Sequence, residues 1–435
     1  MLARKMMLRR RLQKARELGR IWLSTAPDEI RRRQLEALRT QWAEAAQNVP
    51  WYRTLIREGR APAAIETLEQ YVEEVPVLTK DDIRGHPDLF RRVETPDGIS
   101  RTGGSTSEPL KLGQFRGESI DHTAANQWVG RFANGMREDS RVLLAWGHAH
   151  RLGTGFAAMA KGGLRKAKDR ALGYLRVDAY HMGPEAVTEY YRRMAAFRPE
   201  VVIGYSCALD QFARLSREAG RRAADDCPVR LVVACSEMFP RPDSRETLAD
   251  FFGAPVVMEY GGEDGGVSAY ELHDEGRYRT FWWSHLLEVE GREEAGPLLI
   301  TSLTRRYLPL FRYRVGDEVI GAGGKGVGIL DFDAVAGRSN DVLELPDGTS
   351  IHSLSLLRCI RQEAVRNIQL VVGGDGMRLH LAASGLDDAV ISRIRERLAN
   401  LHPSLRDIPI DIVDDLETTI AGKRRWIIRR DKASS

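Results

Sequence analysis

The sequence predicts an α/β protein with two domains, and three observations support this prediction. The chain has 435 residues, more than one typical domain holds. Between about residues 100 and 335, short apolar runs alternate with helix-like segments, which is the order of βαβ units around a parallel sheet. Beyond residue 336 the pattern changes to short strands around helices. We therefore expect a large domain over residues 1–336 and a small, mobile α+β domain over residues 337–435.

The first 90 residues are predicted to be helical. The segment 29–47 repeats apolar residues at helical spacing and is rich in good helix formers. Further along, Thr79 is followed by Asp81 and Asp82, a pattern that is typical of a helix N-terminus.

Residues 1–20 are basic, with eight Lys or Arg residues against the single acid Glu17. A membrane-surface helix or a transit peptide would look similar, and both alternatives stay open. The segment lacks the uninterrupted apolar core of a signal peptide, so we expect a surface or docking helix of a soluble protein. Five residues are available for its apolar stripe: Leu2, Met6, Met7, Leu12 and Leu18.

Four apolar runs are predicted to be strands of the parallel sheet: 141–146, 199–205, 229–235 and 254–260. Helix-like stretches lie between them, at 183–197 and 206–220. In such sheets ligands bind beyond the carboxyl ends of the strands, in the loops that follow. Residues 280–335 carry several strand-like pieces and little helix, which indicates a smaller β-subdomain. In the second domain, residues 387–401 are predicted to be a helix.

The composition excludes several functional classes. The formal net charge is +4, from 65 basic and 61 acidic residues, which is too balanced for nucleic acid to be the main partner. No apolar run approaches the ~20 residues of a transmembrane segment. The four cysteines are scattered without a CxxC pair or zinc-ligand spacing, so we expect reduced thiols and a cytoplasmic protein.

The loop 101–110, RTGGSTSEPL, combines glycines that permit close approach of the backbone with hydroxyl groups that can bind phosphate oxygens. It lacks the Gly-Lys-Ser/Thr ending of a P-loop, and a polar surface loop is the alternative. The residues that could bind phosphate are Thr102, Gly103, Gly104, Ser105, Thr106 and Ser107.

Two later segments carry chemistry that suits a nucleotide. Tyr260 stands with Glu263 and Asp264 among glycines after a predicted strand, where an aromatic ring could stack on a purine and carboxylates could hold a divalent cation. Asp317 could accept hydrogen bonds from two ribose hydroxyls, because a carboxylate suits a vicinal diol. The alternatives are an ordinary turn at the first segment and a hairpin with a salt bridge at the second.

The last two segments fall in the predicted second domain. Residues 337–341 lie at the domain boundary, where a hinge would sit. Lys423 follows a glycine near the C-terminus and could neutralise a transferring phosphate. A solvated basic tail is the alternative.

In this order, the five segments resemble the adenylate-forming superfamily of acyl-CoA synthetases, luciferases and adenylation domains. Within that superfamily the sequence is most similar to the phenylacetate–CoA ligase and CapK-like proteins, from about Asn48 to Arg430. The segments 48–53 and 75–80 resemble that family's N-terminal region, and 204–206 resembles the entrance to a pocket helix.

The resemblance implies roles for individual residues. The loop residues from Thr102 to Ser107 would wrap the ATP phosphates, Tyr260 with Gly261 would bind adenine, and Asp317 would bind ribose. Arg338 would lie near the nucleotide and Asp341 would be the hinge. Lys423 would bridge the attacking carboxylate and the α-phosphate.

Three positions depart from the family pattern. Ser107 replaces the usual glycine, Glu108 places a negative charge beside the triphosphate, and Glu263 falls where a hydroxyl residue is usual. Aligned without gaps, Asp264 falls on the magnesium-binding acid of the family. The resemblance therefore implies Asp264 as the Mg²⁺ ligand, with Glu263 as the alternative.

The function that the resemblance implies is ATP-dependent activation of a carboxylic acid, aromatic by expectation, as an acyl-adenylate, followed by transfer to coenzyme A. Two alternatives stay open: an amide ligase that passes the acyl group to an amine, and a non-catalytic nucleotide-binding relative. ATP, Mg²⁺ and coenzyme A are the expected cofactors, and a homodimer is expected from the resemblance alone. Candidate residues of the acyl pocket are Trp146, His148, Tyr205, Cys235, Met238 and Gly262.

Overall fold

The computed structural model describes most of the chain. The described residues are 2–101, 110–118, 120–146, 164–165, 167–179, 182–236, 238–241, 243–291, 294–323, 327–338, 342–345, 350–352, 356, 360, 365–373, 376–383, 386–417 and 426–430.

The helices include α1 (Leu2–Trp22), α2 (Pro27–Asn48), α3 (Pro50–Arg57), α4 (Leu68–Glu74), α5 (Lys80–Gly85), α6 (Ala125–Ala133), α7 (Pro184–Phe197), α8 (Ser206–Glu218), α9 (Ala223–Asp226), α10 (Ser244–Phe252) and α11 (Asp388–Leu401). A π-helical turn, Ile120–Ala124, precedes α6, and a 3₁₀ turn, Pro403–Leu405, follows α11.

The strands are β1 (Gly98–Arg101), β2 (Lys111–Gln114), β3 (Val142–Ala145), β4 (Tyr174–Val177), β5 (Val201–Tyr205), β6 (Leu231–Cys235), β7 (Val256–Gly262), β8 (Gly266–Leu272), β9 (Arg277–Thr280), β10 (His285–Val289), β11 (Ala295–Ser302), β12 (Tyr313–Ile320), β13 (Asp331–Phe332), β14 (Ala334–Arg338), β15 (Val342–Glu344), β16 (Ser350–His352), β17 (Val365–Gly373), β18 (Gly376–Ala383), β19 (Ile410–Val413) and β20 (Ile427–Arg429).

The large sheet has eight strands in the order β13-β9-β8-β7-β6-β5-β3-β4. The strands β4, β3, β5, β6 and β7 are parallel, and β8, β9 and β13 extend the sheet in antiparallel fashion. The core strands β5 and β6 are almost wholly buried, because helices cover both faces of a parallel sheet and both sets of side chains must be apolar. The predicted α/β class and the four predicted parallel strands are confirmed.

A second, antiparallel sheet has the order β10-β11-β12-β14. The strands β10 and β11 pair from His285↔Ser302 to Val289↔Leu298, and β12 carries Asp317 along its length. Apolar side chains such as Leu298 and Val319 fill one core with Tyr313. This sheet is the β-subdomain that the pattern of residues 280–335 predicts.

The basic N-terminal segment is a helix whose apolar side faces inward. Leu8, Leu12, Ala15, Leu18 and Trp22 are buried at helical spacing, and α1 packs against α6 and the large sheet. The predicted burial of Leu12 and Leu18 is confirmed, whereas the side chains of Leu2, Met6 and Met7 lie outside those described. Among the described residues, no helix has the length and apolar character to cross a membrane.

The chain folds into two compact units. The first takes in Met1–Thr102, Leu110–Met238 and Arg245–Ala336, and the second includes Gly337–Ser435 and Phe239–Ser244. In the second unit β17 and β18 form an antiparallel pair, and β20 and β19 flank them in parallel. The helix α11 begins after its N-cap Asp387, whose carboxylate accepts from the Val390 amide at 2.7 Å.

Candidate active site

The carboxyl ends of the parallel strands bring several predicted pocket residues to one edge of the sheet. Tyr205 at the end of β5 is in register with Cys235 at the end of β6. Trp146 follows β3, and its ring centroid lies 4.6 Å from that of Tyr205. Parallel sheets bind ligands at this edge, so these three predicted pocket residues lie where a ligand can reach them, and their role stays a prediction.

The other predicted pocket residues differ in exposure. The Cys235 thiol is buried and donates to the Gly204 carbonyl at 3.3 Å, whereas Met238 is half-buried and Gly262 is exposed. Ser236, directly after β6, has a φ of 71°, a conformation that a residue with a side chain rarely adopts. His148 lies outside the described residues.

Sequence reasoning missed one residue at this edge. Glu259 is in register with Cys235, and its buried carboxylate accepts from Gln127 Nε2 at 2.8 Å and from Arg131 Nη2 at 3.0 Å. Burial opposes the charge of Arg131, but Glu259 together with other nearby groups outweighs this effect, and the pKa of Arg131 is raised. The signal was the alternation of β7, because an acid at position 259 shares a sheet face with the core residue Val257.

The two residues assigned to the nucleoside are in direct contact. The Tyr260 hydroxyl donates to Asp317 Oδ2 at 2.8 Å, which joins the end of β7 to β12. The Tyr260 ring packs edge-on against Phe332, with centroids 6.0 Å apart. The predicted base-stacking ring and the predicted ribose acceptor therefore lie side by side.

The neighbouring acids Glu263 and Asp264 lie in different environments. Glu263 is exposed, whereas Asp264 is buried with Lys80 Nζ 3.1 Å from its Oδ2. The Tyr313 hydroxyl donates to the same oxygen at 3.0 Å, and the Gly265 amide donates to Oδ1 at 3.2 Å. Burial alone would raise the pKa of Asp264, but the Lys80 ammonium and these hydrogen bonds outweigh it and lower that pKa.

Further polar groups surround Asp264. The buried Arg305 side chain donates to the Asp264 carbonyl, and burial lowers the pKa of this guanidinium. Lys80 Nζ also donates to the Val315 carbonyl at 3.1 Å. Burial and the Asp264 carboxylate raise the pKa of Tyr313, so its hydroxyl stays protonated as a donor. We call the group formed by Lys80, Asp264, His285, Arg305 and Tyr313 the inner network.

His285 joins the inner network through the loop after Asp264. Its Nε2 lies 2.7 Å from the Gly265 carbonyl, and its Nδ1 lies 2.9 Å from Ser284 Oγ. Burial lowers the pKa of His285 to about 4. The imidazole is therefore neutral at pH 7, with its proton on Nε2, where the carbonyl can accept it.

The surroundings of Glu263 and Asp264 indicate which of the two acids could bind a magnesium ion. Mg²⁺ binds carboxylate oxygens and retains several waters, so a ligand must face open space. Both oxygens of Asp264 already accept from protein donors, and the residue is buried, so Asp264 does not fit. The exposed Glu263 fits as a single protein ligand. Within the described ranges no three His, Cys, Asp or Glu side chains cluster as a metal site.

The strands that flank the predicted phosphate loop are firmly placed. β1 and β2 pair up to Arg101↔Lys111, which holds the two ends of the loop together. Behind β2, the buried Glu118 accepts from the backbone amides of Phe115, Arg306 and Tyr307 at 3.0, 2.8 and 3.1 Å. The base of the hairpin is thereby tied to the segment that carries Arg305.

Some predicted site residues are described only by their backbone or lie outside the described part of the chain. The backbone of Arg338 ends β14. The remaining residues lie outside the described part of the chain: Thr102, Gly103, Gly104, Ser105, Thr106, Ser107, His148, Asp341 and Lys423.

Solved structures share the fold of this chain. The chain is similar to 2-hydroxyisobutyryl-CoA ligase in the postadenylation state in complex with R3-HIB-AMP, with a TM-score of 0.70, 16% identity and coverage of 94% of this chain and 91% of that one. The open conformation of the same ligase gives a TM-score of 0.57 at 17% identity, covering 93% and 92%. The chain therefore shares the fold of this CoA ligase.

Sequence comparison narrows the class. The chain is 21% identical to Protein CapK of Staphylococcus aureus over 413 residues, which is 89% of this chain and 86% of that protein. It is 26% identical to phenylacetate-coenzyme A ligase of Escherichia coli (strain K12) over 337 residues, or 73% and 72% of the two chains. No family model matches. By sequence the chain is thus similar to CapK and to the phenylacetate–coenzyme A ligases, the proteins that the five segments resemble.

Proposed function

We propose that this protein activates a carboxylic acid with ATP as an acyl-adenylate, releases pyrophosphate and transfers the acyl group to coenzyme A. The contact between Tyr260 and Asp317 at the carboxyl edge of the sheet is the observation that carries the proposal, because it joins a base-stacking ring to a ribose acceptor. The similarity to phenylacetate-coenzyme A ligases supports a carboxylic acid as the substrate and coenzyme A as the acceptor of the acyl group.

In the first half-reaction the carboxylate attacks the α-phosphorus of ATP and pyrophosphate leaves. Tyr260 and Gly261 bind the adenine, and Asp317 accepts from the ribose hydroxyls. The loop from Thr102 to Ser107 binds the phosphates, with Arg338 near the nucleotide. Lys423 stabilises the negative charge that develops as the carboxylate oxygen bonds to phosphorus.

Glu263, and not Asp264, is the carboxylate that we assign to magnesium. A bound Mg²⁺ neutralises charge on the phosphates. Asp264 instead holds Lys80 and Tyr313, which places the loop that presents Glu263. This assignment reverses the preference that the alignment implied, because burial and hydrogen bonding decide which acid is available.

In the second half-reaction the thiol of coenzyme A attacks the acyl carbon and AMP leaves. We propose that residues 337–435 form the mobile domain that carries Lys423, with Asp341 as the hinge. Its movement would withdraw Lys423 once the adenylate has formed. An aromatic acid suits the neighbouring rings of Trp146 and Tyr205. We place the reaction in the cytoplasm, and the family resemblance implies a homodimer.

Acid-dependent exchange of pyrophosphate into ATP tests this function. Aryl, arylacetic, fatty and amino acids are each supplied to the wild-type protein and to Lys423→Ala. We expect exchange with one class of acid and a loss of at least about a hundredfold in the variant. Binding of ATP without exchange for any acid would contradict adenylation. Amine acceptors in place of coenzyme A then test the amide-ligase alternative.

A further inference from the structure

A row of side chains crosses one face of the large sheet at its carboxyl edge. Tyr205, Cys235 and Glu259 are in register on adjacent parallel strands, and they share the face that α1 and α6 cover. Neighbouring strands are about 4.8 Å apart, so the row from Tyr205 to Glu259 spans about 10 Å. This length matches a small aryl or arylacetic acid. Trp146 extends the row beyond Tyr205 through its ring contact.

The two ends of the row differ in chemistry. At one end, Trp146 and Tyr205 are half-buried aromatic rings. At the other end, the Glu259 side chain is only 6% exposed and is ion-paired with Arg131. Its two hydrogen bonds, from Gln127 and Arg131, use only part of what a carboxylate can accept, which is about four donors.

Unpartnered buried atoms surround this acidic end. Tyr270, in register with Glu259 on the opposite side of β7 from Cys235, is fully buried beside the Arg131 guanidinium. Because a guanidinium can only donate, the Tyr270 hydroxyl hydrogen has no acceptor among the described residues. The Nε of Arg131 is also buried, and no described residue accepts from it in good geometry. The Tyr270 ring cannot withdraw into α6, because it packs where a Cβ at Gly130 would stand. Buried polar atoms without partners are rare in folded proteins and indicate a missing ligand group or water.

We propose that Glu259 determines the specificity of the acyl pocket and selects acids whose acyl tail carries a hydroxyl or amino group. This inference rests on the proposed function. The substituent donates a hydrogen bond to Glu259, and a hydroxyl oxygen can in turn accept from Tyr270. The aromatic end of the row packs against the apolar part of the acid.

Another buried glutamate in the same sheet provides the control for a purely structural role of Glu259. Glu271 on β8 is also buried, and it accepts from Arg245 at 3.0 Å and from the Met258 amide at 2.9 Å. Glu271 lies outside the row, because it is in register with Tyr278 on β9, which is not a pocket residue. Glu271→Gln therefore removes a comparable buried ion pair without changing the proposed pocket.

The test is pyrophosphate exchange with matched acids: phenylacetate, 4-methylphenylacetate, 4-hydroxyphenylacetate and 4-aminophenylacetate. We expect kcat/KM of the wild-type protein to be at least about tenfold higher for the hydroxyl or amino acid than for the methyl isostere, since an unmet hydrogen bond is strongly rejected. Glu259→Gln should lower this ratio at least about threefold, and Tyr270→Phe should lower the hydroxyl preference. Glu271→Gln should leave the ratio unchanged.

The outcomes separate the two proposals. Exchange with none of the acids from any class would contradict the proposed function itself. Exchange that favours the methyl or unsubstituted acid, or an unchanged ratio in a folded Glu259→Gln, would overturn only the specificity proposal. If Glu259→Gln does not fold, the wild-type protein and Tyr270→Phe provide the test. The specificity proposal would then be overturned if the wild type shows no preference for the hydroxyl or amino acid over the methyl isostere and Tyr270→Phe has the same kcat/KM ratio.

Discussion

The inner network and residues 260–263, which we call the open edge of the sheet, have opposite properties. Their acids, Asp264 and Glu263, are adjacent in sequence. In the inner network, Asp264 is buried and ion-paired with Lys80, and its carboxylate accepts from Tyr313. At the open edge, Glu263 is exposed after Tyr260 and the two glycines that follow it. The difference shows that an acid in a motif acquires its role from its surroundings. The acid of the inner network is held by protein donors, whereas the acid at the open edge faces solvent.

Removing the acid of the inner network should have the largest effect. Asp264→Ala leaves Lys80 without its ionic partner and Tyr313 without its acceptor, so we expect a loss of about 3 kcal/mol in the free energy of unfolding. Urea unfolding measures this loss. Glu263→Ala is the matched control, and we expect its free energy of unfolding to change by less than about 0.5 kcal/mol. Equal effects of the two substitutions would remove the distinction between the two regions.

Acid should weaken the inner network through His285. The pKa of this buried imidazole is lowered from 6.5 to about 4, so the unfolded state binds a proton between these values and the folded state does not. The contribution of the neutral imidazole to the free energy of unfolding is therefore complete above pH 6.5. It decreases by about 3 kcal/mol as the pH falls to about 4.

Urea unfolding of wild type and His285→Gln across this pH range measures the contribution. We expect the variant to lose less stability on acidification than the wild type. The exposed His86 provides the control, because His86→Gln should retain the wild-type dependence. Parallel curves for wild type and His285→Gln would show that the imidazole does not resist protonation.

A change at the open edge should affect nucleotide binding and leave stability nearly intact. Tyr260→Phe keeps the ring but removes the hydroxyl that orients Asp317. We expect KM for ATP to rise about tenfold, which corresponds to the loss of one hydrogen bond to a charged group. Thermal unfolding provides the check on folding. A KM equal to that of the wild type would mean that Asp317 needs no partner to bind ribose.

The smallest effect is expected at the helix that presents Lys80. The Thr79 hydroxyl accepts from the Asp82 amide at 3.3 Å, and the Asp82 carboxylate accepts from the Thr79 amide at 2.8 Å, which together form a capping box. Thr79→Ala should cost about 1 kcal/mol in the free energy of unfolding. Thr67 caps α4 through the Gln70 amide, away from Lys80, so Thr67→Ala should cost as much and leave exchange activity unchanged. We expect Thr79→Ala to lose more exchange activity than Thr67→Ala, because the cap positions Lys80. Equal exchange activity in the two variants would contradict this expectation.

Much of the fold could be predicted because its signals are local. The apolar runs of β5 and β6 are buried on both faces, and the capping pattern at Thr79 depends on residues within one turn. The alternating pattern of β7 was present in the sequence, but an acid at position 259 becomes informative only once Gln127 and Arg131 are known to lie above it.

The difference in surroundings between the two adjacent acids could not be predicted from sequence. It depends on Lys80 and Tyr313, which are distant in the chain and reach Asp264 only through the tertiary fold. Alignment assigned the metal to position 264 by spacing alone. Spacing carries no information about which carboxylate a distant ammonium group has already neutralised.

Direct detection of the intermediate tests the central claim most directly. The protein is incubated with ATP, Mg²⁺ and the acid that best supports exchange, without coenzyme A, and the bound products are analysed by mass spectrometry. The account predicts acyl-AMP in the absence of coenzyme A and its conversion to acyl-CoA with release of AMP when coenzyme A is added. Formation of ADP, or of acyl-CoA without a prior acyl-AMP, would contradict it.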